Sequence, residues 1–174
     1  MGIGNSDKKV IEWQIGRTLE NEFEVCTKCQ WDFPVSFSAP PIVRDRPFPT
    51  IHWLCCPYLQ REISKLEAEG LINEIEARLI SDEVLSNGYL DAHKNTNQAI
   101  MEQLKRKRAP LWFLKALEGR GIGGMKDFTH IKCLHMHVAN LLCGVDNPIG
   151  KIVLKMVEHR ECSDLILCSR SHRG

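Results

Sequence analysis

The sequence predicts a mostly helical α+β domain, and three observations predict it. Apolar residues recur at three-four spacing through most of the chain after Pro57. Before them lies a proline-rich stretch from Pro34 to Pro49, followed by a short β-type run, Thr50-Ile51-His52-Trp53-Leu54. The 174 residues, 43% hydrophobic and 26% charged, suit one globular unit with its own core. We therefore expect a single domain over 1–174, with 1–6 and 160–174 as flexible ends. In it a short N-terminal strand or hairpin and the irregular proline-rich segment pack against a helical body.

Each element has a local reason. Residues 7–20 carry Val10, Ile11, Ile15 and Leu19 on one helical face. Prolines 34, 40, 41, 47 and 49 remove backbone donors and disfavour helix before them, so this stretch reads as extended. Pro57 suits a first helical position and Gly70 a stop, with Leu59, Ile63 and Leu66 between them. Leu71, Ile75 and Leu79 continue the pattern over 71–80. Residues 82–108 predict a longer charged helix, with Asn87-Gly88 as a candidate break and Lys105-Arg106-Lys107-Arg108 as a solvated end that complements the helix dipole. Gly119-Arg120-Gly121-Ile122-Gly123-Gly124 follows no strand and lacks the Lys-Ser/Thr ending of a P-loop. It reads as a connector, or as an anion cradle ahead of a helix. The next helix is expected over 129–143 with Asp127 or Thr129 as its cap, and Asn147-Pro148 opens a last one to about His159.

Charge and hydropathy exclude several function classes. Lys plus Arg number 23 against 22 Asp plus Glu, a net charge of +1. A dedicated nucleic-acid binder would carry a basic excess. No apolar run approaches the roughly 18 residues that cross a bilayer. Asp7, Lys8, Lys9 and Glu12 interrupt the first apolar residues, unlike a signal peptide. We expect a cytoplasmic protein, and no partner is indicated.

The eight cysteines, at 26, 29, 55, 56, 133, 143, 162 and 168, are the unusual feature. Their spacing is irregular and the chain is large enough to do without staples, so ligand or reactive thiols are expected rather than a disulfide framework. On a helical wheel, Ile131, Leu134, Val138 and Leu141 form a core stripe, and Cys133, His137 and Asn140 a second stripe beside it. Cys and His at i and i+4 can offer sulfur and nitrogen to one ion. A structural zinc needs about four such ligands, and Cys26, Cys29 and Cys56 are available to complete the set. Cys56-Pro57 also fits iron–sulfur ligation, where proline often follows a ligand cysteine. A third reading is nucleophilic catalysis, with Cys29, Cys56 or Cys133 as the thiol and His135 or His137 as the base. The alternative to all three is that these residues only pack, as Trp31, Trp53 and Trp112 are expected to do.

A set of short motifs runs through the chain. These are Pro47-Phe48-Pro49-Thr50, Trp53-Leu54, Cys56-Pro57-Tyr58-Leu59, Leu66-Glu67 with Gly70, Ala92-His93, Gly123-Gly124, Lys132-Cys133-Leu134-His135 with His137, and Asn147-Pro148-Ile149-Gly150. On these the chain resembles the uncharacterised bacterial domain-of-unknown-function family number five hundred and one, from about Gln14 to Gly150. The resemblance implies Cys29, five residues before Pro34, together with Cys56 and Cys133, as the shared cysteines. It implies no reaction. Three positions depart from the family pattern: Asp32 replaces a usual glycine, Cys55 a usual threonine, and Asn140 a common histidine. The last departure removes one possible ligand and leaves Cys29, Cys56, Cys133 and His137 as the expected metal set, with zinc favoured and an iron–sulfur cluster as the alternative. Lys132, His135, Gly123 and Gly124 are then expected to support the site or contact an anion. Cys56, Cys133 and His135 are the catalytic candidates if the protein is instead a cysteine-dependent thiol transferase or hydrolase.

Overall fold

In a computed structural model of the protein, residues 5–163 and 166–169 are described. Residues 1–4, 164, 165 and 170–174, part of the ends expected to be flexible, lie outside them. The architecture is a small antiparallel sheet packed on a helical body. Helix α1 (Asn5–Ile15) stops at Gly16, whose φ of +67° is the left-handed conformation that ends helices. Strands β1 (Glu24–Lys28), β2 (Pro34–Ser38) and β5 (His52–Leu54) form a three-stranded sheet with β2 central. Between β2 and β5, β3 (Ile42–Val43) and β4 (Arg46–Pro47) make a hairpin turning at Arg44 and Asp45, both at positive φ. The proline-rich segment thus contains more paired strand than its composition suggests. Its prolines stand at strand ends or in connections, where no ladder donor is missing.

The helices follow in order: α2 (Pro57–Ala68), α3 (Leu71–Ser81), α4 (Glu83–Arg106), α5 (Leu111–Leu117), α6 (Leu134–Leu142), α7 (Pro148–Met156) and α8 (Ile166–Ser169). Pro57 opens α2, and Gly70 at φ +96° separates α2 from α3, as its sequence position predicts. Helix α4 runs unbroken through Asn87-Gly88. Gly88 faces Pro148, where a Cβ would stand 3.2 Å from the proline ring, so it lets α7 approach closely. The main core joins these helices to the sheet through Val35, Leu54, Leu59, Ile63, Ile75, Tyr89, Leu134, Val138, Ile149 and Val153. Asn147 caps α7 by accepting from the Gly150 amide at 3.0 Å.

One boundary differs from the sequence expectation in a way that matters for the site. Helix α6 starts at Leu134, not near residue 129. Asp127 instead turns the chain locally by accepting from the Thr129 amide and hydroxyl. Cys133 is the residue that precedes α6, in extended conformation at φ −163°, ψ 155°. The expected Cys133/His137 stripe on one helical face therefore does not form. Among the described residues, no helix is long and apolar enough to cross a membrane.

Candidate metal centre

Helix α2 brings Glu67 to the start of α6. Its Oε1 accepts from the Leu134 amide at 2.6 Å, one of the free donors at the helix N-terminus. The same oxygen stands 3.2 Å from His135 Nδ1. Two residues earlier, the Cys133 side chain turns toward the same point. Ligand atoms of Glu67, Cys133 and His135 all lie within 4.8 Å of one another, the metal-capable group found among the described residues. A carboxylate, a thiol and an imidazole thus converge from two elements.

The other ring nitrogen is occupied. His135 Nε2 donates to the Gln60 carbonyl at 3.0 Å and lies 3.3 Å from Ser64 Oγ. The His135 pKa is pushed up to about 9. The hydrogen bond with Cys133 contributes most, burial opposes it, and the Gln60 carbonyl and Glu67 charge add to the rise. The group is half-buried, with side-chain exposures of 25% for His135 and 23% for Glu67, so solvent reaches it.

The structure divides the expected metal set among three places. Cys133 is in the group just described. Cys29 and Cys56 line a different small cavity, near the β1–β2 turn and the start of α2. His137 is fully buried and its Nδ1 accepts from Asn147 Nδ2 at 3.1 Å. Among the described residues, no three of Cys29, Cys56, Cys133 and His137 bring ligand atoms within 4.8 Å. His137 belongs to a buried polar chain instead. Asn147 bridges His137 to Asn140 Oδ1, and Asn140 donates to Thr96 Oγ1 and His52 Nδ1 at 2.9 Å each. His93, at the centre of α4, accepts from the Ile122 amide at 3.0 Å. Burial lowers the pKa of His137 to about 3 and of His52 and His93 to about 4.

The supporting residues are likewise distributed. Lys132 is exposed beside Cys133. Gly123 and Gly124 pack against Met136 and Pro49, at close approaches that leave no room for a Cβ. Cys55 is fully buried against Ile11, Phe23 and Phe37. Cys26 and Cys143 are neighbours between β1 and the end of α6, and each shifts the other's pKa, that of Cys26 down and that of Cys143 up. Sequence reasoning missed Glu67 as a site residue. The only signal was its place in the Leu66-Glu67 motif.

The motifs that carry the resemblance are those that build this core and site, and the family described as Protein of unknown function (DUF501) matches residues 25–155. The chain belongs to the DUF501 family. The matched span of this DUF501 chain contains Glu67, Cys133 and His135, and also Cys29 and Cys56, but ends before Cys162 and Cys168. No curated protein and no solved structure matches the chain.

Proposed function

We propose that this DUF501 protein is a cytoplasmic, bacterial metal-binding protein whose ion, zinc by preference, is held by Glu67, Cys133 and His135. The observation that carries the reading is the convergence of these three donors within 4.8 Å at a solvent-reached position. Sulfur, nitrogen and oxygen together are a donor set that zinc accepts. The Gln60 carbonyl on Nε2 supports it further. Histidines that bind metal usually donate their other N–H to such an acceptor, which fixes the tautomer and frees the remaining nitrogen for the ion. Three protein ligands leave a fourth position for water, the arrangement of zinc sites that hydrolyse or activate a substrate. A reducing cytoplasm suits a thiol that must stay available as a ligand.

A second reading draws on the closeness of Cys133 to His135, with ligand atoms within 4.8 Å, which also fits a thiol nucleophile beside its base. Alkylation separates the two. Under the metal reading, zinc-loaded protein resists iodoacetamide at Cys133 until a chelator is added. Under the catalytic reading Cys133 reacts at once and the chelator changes nothing. The direct test of the metal reading is Cys133→Ser, which is expected to lower zinc content and thermal stability together. Full zinc occupancy in that variant would overturn the proposal.

A further inference from the structure

Glu161 and Cys162 pack over the turn between β1 and β2, 131 positions away in the chain. The Gln30 amide donates to Glu161 Oε1 at 3.0 Å, and Trp31 Nε1 donates to the Cys162 carbonyl at 3.2 Å. Arg160 Nε donates to the Leu154 carbonyl at 3.2 Å and anchors the start of the segment. The result is one small cavity, about 10 Å³, lined by four cysteines from three parts of the chain. Cys29 comes from the β1–β2 turn, Cys56 from the residue preceding α2, and Cys162 and Cys168 from the returning segment.

We infer that Cys29, Cys56, Cys162 and Cys168 form a second metal centre, a four-thiolate site for a single thiophilic divalent ion such as zinc. Four sulfurs are the ligand complement of a closed structural zinc site. Burial raises the pKa of the Cys56 and Cys168 thiols, and nearby donors offset it in part. Gln14 Nε2, itself in the core, donates to Cys168 Sγ at 3.4 Å. Amides of Tyr58 and Leu59 at the start of α2 act on Cys56 against the burial that raises its pKa to about 11. Such donors to ligand sulfur orient it and stabilise its charge. Arg160 also lines the cavity. Binding a divalent ion would release four thiol protons to solvent and leave two net negative charges, of which the Arg160 guanidinium offsets one, while Glu161 also lines the cavity.

The spacing defines what binding requires. Tetrahedral zinc, with Zn–S of about 2.3 Å, holds its sulfurs about 3.8 Å apart. Among the described residues no three of these four sulfurs lie within 4.8 Å of one another, so binding requires the cysteine side chains to turn inward around the cavity they line.

The test uses the full chain carrying His135→Ala, which removes a ligand from the first site, and Co²⁺ alone as probe. The expected result is about one equivalent of Co²⁺ giving an intense sulfur-to-cobalt charge-transfer band, as a thiolate site requires. Adding Cys162→Ser and Cys168→Ser should abolish that band while circular dichroism stays unchanged. In the wild-type chain, zinc should slow alkylation of all four cysteines together, and a chelator should release all four. A band that persists without Cys162 and Cys168 would overturn the inference. So would the absence of any band, or a disulfide joining two of the four in anaerobically purified protein.

Discussion

Glu67 Oε1 stands 3.2 Å from His135 Nδ1 while accepting from the Leu134 amide at 2.6 Å, so one carboxylate oxygen both caps α6 and faces the imidazole. The two functions separate in Glu67→Gln. The amide oxygen can still cap the helix, so stability should change by about 1 kcal/mol or less. The charge that faces the ion is lost, and zinc affinity should fall at least about tenfold. Competition against a chromophoric chelator measures it, and unchanged affinity would remove Glu67 from the site.

Metal binding should release protons. In the ion-free protein both ring nitrogens of His135 face oxygen acceptors, Glu67 and the Gln60 carbonyl, so the ring holds two protons. An ion on Nδ1 displaces one of them, and the Cys133 thiol loses another. Calorimetric titration of zinc into the Cys162→Ser/Cys168→Ser chain, in two buffers of different ionisation enthalpy, should give about two protons released per ion at pH 7. Release of none would mean the ion binds elsewhere.

The buried histidines make stability depend on pH. His52 and His93 have folded pKa values near 4, below the usual unfolded value of about 6.5. Between those values the unfolded chain binds more protons than the folded one. The free energy of unfolding therefore rises as pH increases through this window, by up to about 1.4 kcal/mol per pH unit for each histidine. Urea midpoints at pH 4.5, 5.5 and 6.5 read the slope. His93→Gln should flatten it, and an equal slope in that variant would contradict the account.

Asn147 holds two functions at the start of α7. Its Oδ1 caps the helix through Gly150, and its Nδ2 donates to His137 and to Asn140. Asn147→Ala should cost about 2–4 kcal/mol, the lost cap plus buried acceptors left unpaired. Asn147→Asp keeps the cap and loses only the donors, so its loss in urea denaturation should be smaller than that of Asn147→Ala in the neutral range. Equal losses would place the whole effect in the hydrogen bonds donated to His137 and Asn140, and none in the cap.

Gly121 carries a packing prediction. A Cβ there would overlap the His93 ring, whose Nδ1 accepts from the neighbouring Ile122 amide. Gly121→Ala should destabilise by about 1–3 kcal/mol through overpacking. An unshifted denaturation midpoint would mean the loop yields without cost.

The parts of the fold that were legible in the sequence rest on local signals. Pro57, Gly70 and Asn147-Pro148 mark helix ends that lie where the punctuation puts them. The start of α6 was not legible, because its first amide is capped by Glu67, 67 positions away, rather than by a nearby residue. That displacement took Cys133 off the helical face it was expected to share with His137. Cys133 and His135 stood out by residue type, whereas Glu67 is one of many surface-type glutamates until α2 carries it across. His137 read as a possible ligand, yet it is buried and joined through Asn147 to Asn140 in a hydrogen-bonded chain.

The central claim is the metal centre at Glu67, Cys133 and His135. Its most direct test is zinc content in anaerobically purified Cys162→Ser/Cys168→Ser protein, measured with and without His135→Ala. We predict about one zinc per chain in the first and well under half in the second, since losing one of three protein ligands opens the site. Equal zinc in both chains, or none in either, would contradict the account.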